Sequence, residues 1–218
     1  MRIHINITVN RAVQILLLYM FFAILSISFF MPLFAVFVTG FIEGATLRTV
    51  GFALAIYAVT KSVLQIPIAR FLDRIKGEKD DFYVLIVGAV VAVIYPFALL
   101  AVSKIWHIYL LEMFAGIGDA FLMAAYYSLF ARHVDKGSEG FEWSLFSVGG
   151  MTMSGAIGAA IGGVLADIYG FHLLFLSAGI INLIVSFVLI YLYPMLDGQR
   201  PVALPPFSPI PKNPTTKP

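Results

Sequence analysis

Six apolar stretches, each long enough to cross a lipid bilayer as a helix, constrain this chain more than any other feature of its sequence. A bilayer core needs about 20 mainly apolar residues per helix. The stretches cover residues about 12–38, 48–72, 82–103, 106–131, 143–166 and 171–193. Hydrophobic residues make up 61% of the chain and charged residues only 12%, which leaves more apolar surface than a soluble fold could bury. The sequence therefore predicts an all-α integral membrane protein, with residues 1–194 forming one six-helix bundle in contact with lipid.

The distribution of lysine and arginine predicts the orientation of this bundle. If the N-terminus is cytoplasmic, eleven basic residues fall in cytoplasmic segments, and only Arg48 and Lys104 fall in external loops. Cytoplasmic loops of membrane proteins carry an excess of lysine and arginine. We therefore expect a multi-pass protein of the cell membrane with both termini in the cytoplasm. The first apolar stretch, Ala12 to Val38, is much longer than the apolar region of a signal peptide, so it is expected to remain as an anchor.

The C-terminal residues 195–218 differ in composition from the rest of the chain. They contain seven prolines, and proline at this density breaks helices and favours extended structure. The sequence predicts a Pro-rich, disordered cytoplasmic tail, and binding of a partner by this tail is the alternative.

Three ionisable residues, Lys61, Glu112 and Asp119, fall well inside the predicted spans. Each costs about 2.5–3.5 kcal/mol at the centre of a membrane helix, so they should face an interior or a water-filled cavity. Glu112 and Asp119 are seven residues apart and therefore lie on nearly the same helix face. Lys61 lies at the same depth as Asp119, which permits contact between them. Two interpretations stay open: a substrate or proton pathway, or a structural ion pair that determines helix register.

Two further patterns concern helix packing. In the fifth span, small residues recur every fourth position and predict a close contact with another helix. They are Ser154, Gly158, Gly162 and Ala166. Pro32 and Pro96 lie within the first and third spans and predict kinks there.

The end of the second span carries a recognisable loop motif. The segment contains Arg70, Asp73, Arg74 and Gly77 after an apolar lead-in from Gly51. It resembles the second helix and following loop of the major facilitator superfamily, whose signature there is roughly G-x-L-x-D-R-x-G-R-K. Asp73 and Arg74 match the acid and base of that signature, while Gly77 comes one residue later than the family glycine.

The fourth span adds a second similarity to the same family. Gly116, Gly118 and Ala120 match the small residues of the family pattern R-x-x-x-G-x-G-x-A, and Glu112 stands where that pattern has arginine. Family members usually have twelve helices in two halves, with substrate bound between them. The resemblance implies that this chain is an N-terminal half, which pairs with itself or with a separate C-terminal half, or is the product of a truncated gene.

The resemblance and the buried charges together predict secondary active transport of a small solute, with proton coupling as an option. A membrane scaffold or interaction subunit that transports nothing is the alternative. An enzyme is not expected, because the four histidines lack the spacing of metal ligands and the chain has no cysteine. No metal or cofactor is predicted. A net charge of only +2 gives no reason to expect binding to nucleic acid.

Overall fold

The computed structural model describes residues 9–75 and 77–196. Within these ranges all regular secondary structure is helical and no strand occurs, which confirms the predicted all-α class. The Pro-rich tail predicted for residues 195–218 lies outside the described residues apart from its first two positions.

The first membrane-length stretch, Arg11–Phe41, is divided into two helices. Helix α1 spans Arg11–Ser28, and helix α2 spans Phe34–Phe41. Between them the short 3₁₀ turn Met31–Leu33 contains Pro32, which has no backbone N–H to continue an α-helical ladder. The first stretch is therefore interrupted at Pro32, where the sequence predicted a kink.

Three long helices follow with short connections. Helix α3 spans Leu47–Arg74, α4 spans Glu78–Leu99 and α5 spans Ile105–His133. Helix α4 begins four residues before the predicted apolar stretch because its first turn is acidic, and carboxylates are favourable at a helix N-terminus. It continues through Pro96 as one helix.

The last helical stretch runs from Glu139 to Met195. It consists of α6 (Glu139–Ser144), a π-helical segment (Leu145–Met153), α7 (Ser154–Ser186) and short 3₁₀ turns. Gly170 interrupts it, since its φ of 75° and ψ of 178° are not helical. Counting Glu139–Met195 once, five helical stretches of the described chain are long and apolar enough to cross a membrane.

Helix α5 lies between α3 and α4, and glycines set both contacts. A Cβ atom on Gly116 would lie 2.7 Å from the carbonyl oxygen of Tyr57 in α3. A Cβ atom on Gly118 would lie 2.4 Å from the Cβ of Val91 in α4. Side chains larger than hydrogen are therefore excluded at both positions, and α5 packs closely against α3 and α4.

The stripe of small residues in α7 packs against α1. Ser154, Gly158 and Gly162 are buried, and a Cβ on Gly162 would lie 2.0 Å from the carbonyl oxygen of Phe29. Ala166, one turn further, packs beside the aromatic cluster that contains Phe37. The regular spacing thus places one face of α7 along the first membrane-length stretch, Arg11–Phe41.

Candidate functional site

A cavity of about 300 Å³ lies in the interior of the bundle. It is lined by residues of α1, α3, α4 and α5, together with Phe30 and Met31 after α1, Met151 of the π-helical segment and Asn182 of α7. Most of its lining is apolar, and polar side chains project into it from several helices. These polar side chains are Tyr57, Lys61, Tyr95, Glu112, Asp119 and Asn182. All three ionisable residues singled out within the spans therefore line one cavity.

Lys61 and Asp119 form an ion pair at the wall of this cavity. The Nζ of Lys61 lies 2.6 Å from Oδ2 of Asp119. The hydroxyl of Tyr57 donates a hydrogen bond of 2.5 Å to the same oxygen. About a quarter of each charged side chain stays exposed, 29% for Lys61 and 26% for Asp119. The pair is therefore desolvated only in part and remains reachable from the cavity.

The backbone explains why this pair forms. Lys61 and Asp119 both lie near the midpoints of their helices, α3 and α5. Gly116 allows those two helices to touch at Tyr57, Thr60 and Lys61. Asp119 is three residues after Gly116, so its side chain emerges on nearly the same face.

Glu112 occupies a different environment in the same cavity. Its side chain is fully buried, and Oε1 accepts a hydrogen bond of 2.5 Å from the hydroxyl of Tyr95. The other carboxylate oxygen, Oε2, has no hydrogen-bond partner among the described residues. Glu112 forms no ion pair with Lys61, which contacts Asp119 instead. Seven residues of helix separate the two carboxylates along α5, a rise of about 10 Å.

The arrangement provides two kinds of chemistry. The partly exposed side chains of Lys61 and Asp119 present one positive and one negative group at the wall of the cavity. Glu112 is a carboxylate in an apolar setting, which favours acquisition of a proton or of a cation as compensation for its burial. Such residues in membrane spans commonly mark substrate and proton pathways.

The loop-motif residues lie away from the cavity, at one end of the bundle. Arg70, Asp73 and Arg74 are exposed in the last turn and a half of α3. Gly77 has a φ of 135°, a left-handed conformation that favours glycine, and it directly precedes α4. The structure therefore does not bring these residues together with Lys61, Glu112 or Asp119.

The same end of the bundle holds an ion pair that sequence analysis missed. Asp81 in the first turn of α4 is buried and accepts hydrogen bonds from Arg132 and Ser128 of α5. A signal existed, since an acid at the start of one helix and a base at the end of the next become neighbours in an antiparallel pair. This pair joins α4 to α5 and takes no part in the cavity.

Three polar residues of the cavity were also missed. Tyr57 precedes Lys61 by four residues and so shares its helix face, a spacing that could have identified it. Tyr95 and Asn182 carry no such local signal, because their partners come from other helices. The amide of Asn182 donates to the hydroxyl of Ser26 in α1, at 2.7 Å.

Within the described residues, no group of three His, Cys, Asp or Glu could hold a metal ion.

Comparison with known proteins agrees with this architecture. The chain is 27% identical over 172 residues to an uncharacterized MFS-type transporter of Methanocaldococcus jannaschii. The match covers 77% of this chain and 42% of that relative, so the chain spans less than half of the relative's length. The sequence model of the Major Facilitator Superfamily matches residues 14–216, nearly the whole chain. On this match, and with membrane-length apolar helices throughout its described part, the multi-pass membrane protein belongs to the Major Facilitator Superfamily.

Proposed function

We propose that this chain forms one six-helix half of a secondary active transporter that carries a small solute through the cavity between its helices. The observation that carries the proposal is the cluster of Lys61, Asp119 and Glu112 around one cavity within apolar helices. An ordinary membrane anchor has no use for such residues, since each is unfavourable at this depth. In this proposal Lys61, Asp119 and Tyr57 contact the solute, and the carboxylate of Glu112 takes up either a proton or a cation.

A count of six spans is part of the proposal, because the stretch Glu139–Met195 is best explained as two crossings. As one straight helix its 57 residues would be about 85 Å long, far more than a bilayer core. Two of its residues, Gly158 and Ala178, contact adjacent residues of α1. Gly158 packs on the carbonyl of Leu25, and the carbonyl of Ala178 accepts a hydrogen bond of 2.8 Å from Ser26. In a straight helix these two residues would be about 30 Å apart, so a reversal at Gly170 is supported.

An even number of crossings leaves both termini on one side of the membrane. We propose the cytoplasmic side, on the strength of the eleven-to-two distribution of basic residues between the two sides. The loop motif around Asp73 and Arg74 then lies at the cytoplasmic end of α3.

The proposed transporter needs a second half. Alternating access in transporters of this kind moves two bundles around a shared central site. Helix α3 carries Lys61, yet only four of its 28 residues are buried, so much of its surface faces outward from the bundle. A second copy of this chain, or a separate second half, would cover this surface and enclose the cavity.

Access to the cavity from both sides of the membrane tests transport without knowledge of the solute. The chain has no cysteine, so a single cysteine at Ala115, a residue that lines the cavity, can be labelled without background. The variant is expressed in the organism that encodes the protein. Right-side-out and inside-out vesicles are then labelled with a membrane-impermeant maleimide. We expect Ala115→Cys to react from both sides.

The matched control is Met113→Cys, two residues earlier in α5 but 41% exposed on the outer surface of the bundle. It should react from neither side, because thiols in contact with lipid do not ionise. Reaction of Ala115→Cys from one side alone, or from neither, would contradict alternating access and favour a scaffold.

A further inference from the structure

We propose that the cavity selects organic monocations: small molecules that join one positively charged amine to an apolar or aromatic body. This inference rests on the proposed transport function and names its substrate class. It follows from the charge balance of the cavity, the unpartnered oxygen of Glu112 and the composition of the remaining lining.

The charges that line the cavity leave a single negative charge without a matching cation. Lys61 and Asp119 compensate each other at 2.6 Å. Glu112 contacts Tyr95, a neutral donor, and no described cation contacts it. A ligand with one positive charge therefore makes the cavity neutral overall, whereas an anionic ligand adds a second uncompensated negative charge in an apolar setting.

The free oxygen of Glu112 specifies where the positive group binds. Oε2 is buried without a hydrogen-bond partner among the described residues, and a buried acceptor left unsatisfied is unfavourable. An ammonium N–H supplies the missing donor together with the compensating charge, and charge-assisted hydrogen bonds are the stronger kind. A neutral hydroxyl would supply the donor alone.

The rest of the lining suits an apolar or aromatic body. The described residues around the cavity include four methionines, whose flexible and polarisable side chains adapt to ligands of different shape. They are Met20, Met31, Met123 and Met151. The rings of Phe30, Tyr57 and Tyr95 also line the cavity and can stack on an aromatic ligand or face a cation.

Anionic and sugar-like ligands fit these observations less well. An anion would need Lys61, which contacts Asp119 and lies beside the Tyr57 hydroxyl bonded to the same oxygen. A sugar needs many convergent hydrogen-bonding groups, but most of the lining is aliphatic or methionine. A cavity of about 300 Å³ is at the small end of ligand sites, which suits one or two fused rings.

A charge series on one ring system tests the proposal. The probes are 1-naphthylmethylammonium, 1-naphthalenemethanol and 1-naphthoate, which have the same ring and charges of plus one, zero and minus one. Binding to the full chain in nanodiscs is measured by equilibrium dialysis at pH 8. We expect the ammonium to bind at least tenfold more tightly than the alcohol, and the carboxylate to bind most weakly. Equal affinities for ammonium and alcohol, or no binding of any probe up to millimolar concentration, would overturn the proposal.

The variant Glu112→Gln locates the selectivity. It should reduce the preference for the ammonium over the alcohol to less than threefold while the alcohol still binds, and that retained binding shows that the variant is folded. Glu43→Gln, at an exposed position outside the cavity, is the matched control and should keep the wild-type preference. A Glu112→Gln protein that kept the tenfold preference would overturn the assignment. If this variant does not fold, the wild-type charge series decides alone.

The outcomes separate this inference from the proposed function. Labelling of Ala115→Cys from both sides with no preference for the ammonium would leave transport standing and remove the substrate class. A clear preference for the ammonium with labelling from one side alone would support the cation site and remove transport.

Discussion

At the scale of single residues, the pair of Lys61 and Asp119 is the feature whose role is most open to experiment. A buried pair often adds little to stability, because desolvation of the charges offsets their attraction. Removal of one partner is another matter, since it leaves a charge in an apolar region without compensation. A double-mutant cycle therefore distinguishes a pair that stabilises the bundle from a pair that contacts solute.

We expect Lys61→Met and Asp119→Asn each to destabilise the protein by up to about 3 kcal/mol, the low end for breaking a buried pair, because the cavity leaves part of each side chain exposed. The double variant should lose less than the sum of the two single losses. Thermal stability of the purified variants in detergent measures the cycle. In the double variant, Ala115→Cys should be labelled from one side of the membrane only, because the charges themselves take part in the proposed transport cycle.

Two other results would change this assignment. A double variant that recovers both stability and labelling from both sides makes the pair purely structural. Single losses that simply add show that the two residues do not interact.

At the scale of helices, glycine positions decide which elements touch. Gly116 and Gly118 of α5 make close contacts with α3 and α4, and Gly158 and Gly162 of α7 make close contacts with the end of α1 and with Phe29, which follows it. These contacts position the cavity, because its walls come from the same helices. The spacing of small residues in the fifth span predicted such a contact, but it could not identify the partner helix.

Adjacent glycines in α7 provide a test of this packing. Gly162→Ala would place a methyl group 2.0 Å from the carbonyl oxygen of Phe29, whereas Gly163→Ala meets no atom within 4 Å. We expect Gly162→Ala to destabilise the protein by about 1–3 kcal/mol through overpacking. Gly163→Ala should be neutral or slightly stabilising, since alanine favours helix. The fraction of protein that stays monodisperse after heating in detergent measures both, and equal behaviour would argue against this helix contact.

At the scale of the whole molecule, the number of crossings determines on which side of the membrane each terminus lies. The reversal at Gly170 and the distribution of basic residues support six spans with both termini in the cytoplasm. The alternative of five crossings would place the two termini on opposite sides.

Single cysteines distinguish these topologies. We expect a membrane-impermeant reagent to label Gly44→Cys from outside intact cells and to leave Ser138→Cys and Ser208→Cys unlabelled. Gly170→Cys should be labelled from outside, since the proposed hairpin turns there, although its φ of 75° makes the substitution strained. Labelling of Ser138→Cys or Ser208→Cys from outside would contradict the proposed orientation.

Much of the architecture follows from the sequence because its cause is local. The length and polarity of each apolar stretch predict a membrane helix, since any backbone group in lipid must be hydrogen-bonded within its own segment. Seven-residue spacing places Glu112 and Asp119 on one face of α5 by helix geometry alone. The motifs around Asp73, Gly116 and Gly118 led to the family for the same reason, because they are patterns within single segments.

The tertiary structure decided which side chains meet across helices. Depth in the membrane permitted a contact between Lys61 and Asp119, but rotation of α3 against α5, set by the contact at Gly116, was needed to form it. The packing of α4 against α5 gives Glu112 the hydroxyl of Tyr95 as its donor. Asp81 likewise depends on the end of α5 for Arg132. Hydropathy and periodicity describe one helix at a time, whereas these contacts depend on the relative rotation and register of two helices, which close packing of small residues determines.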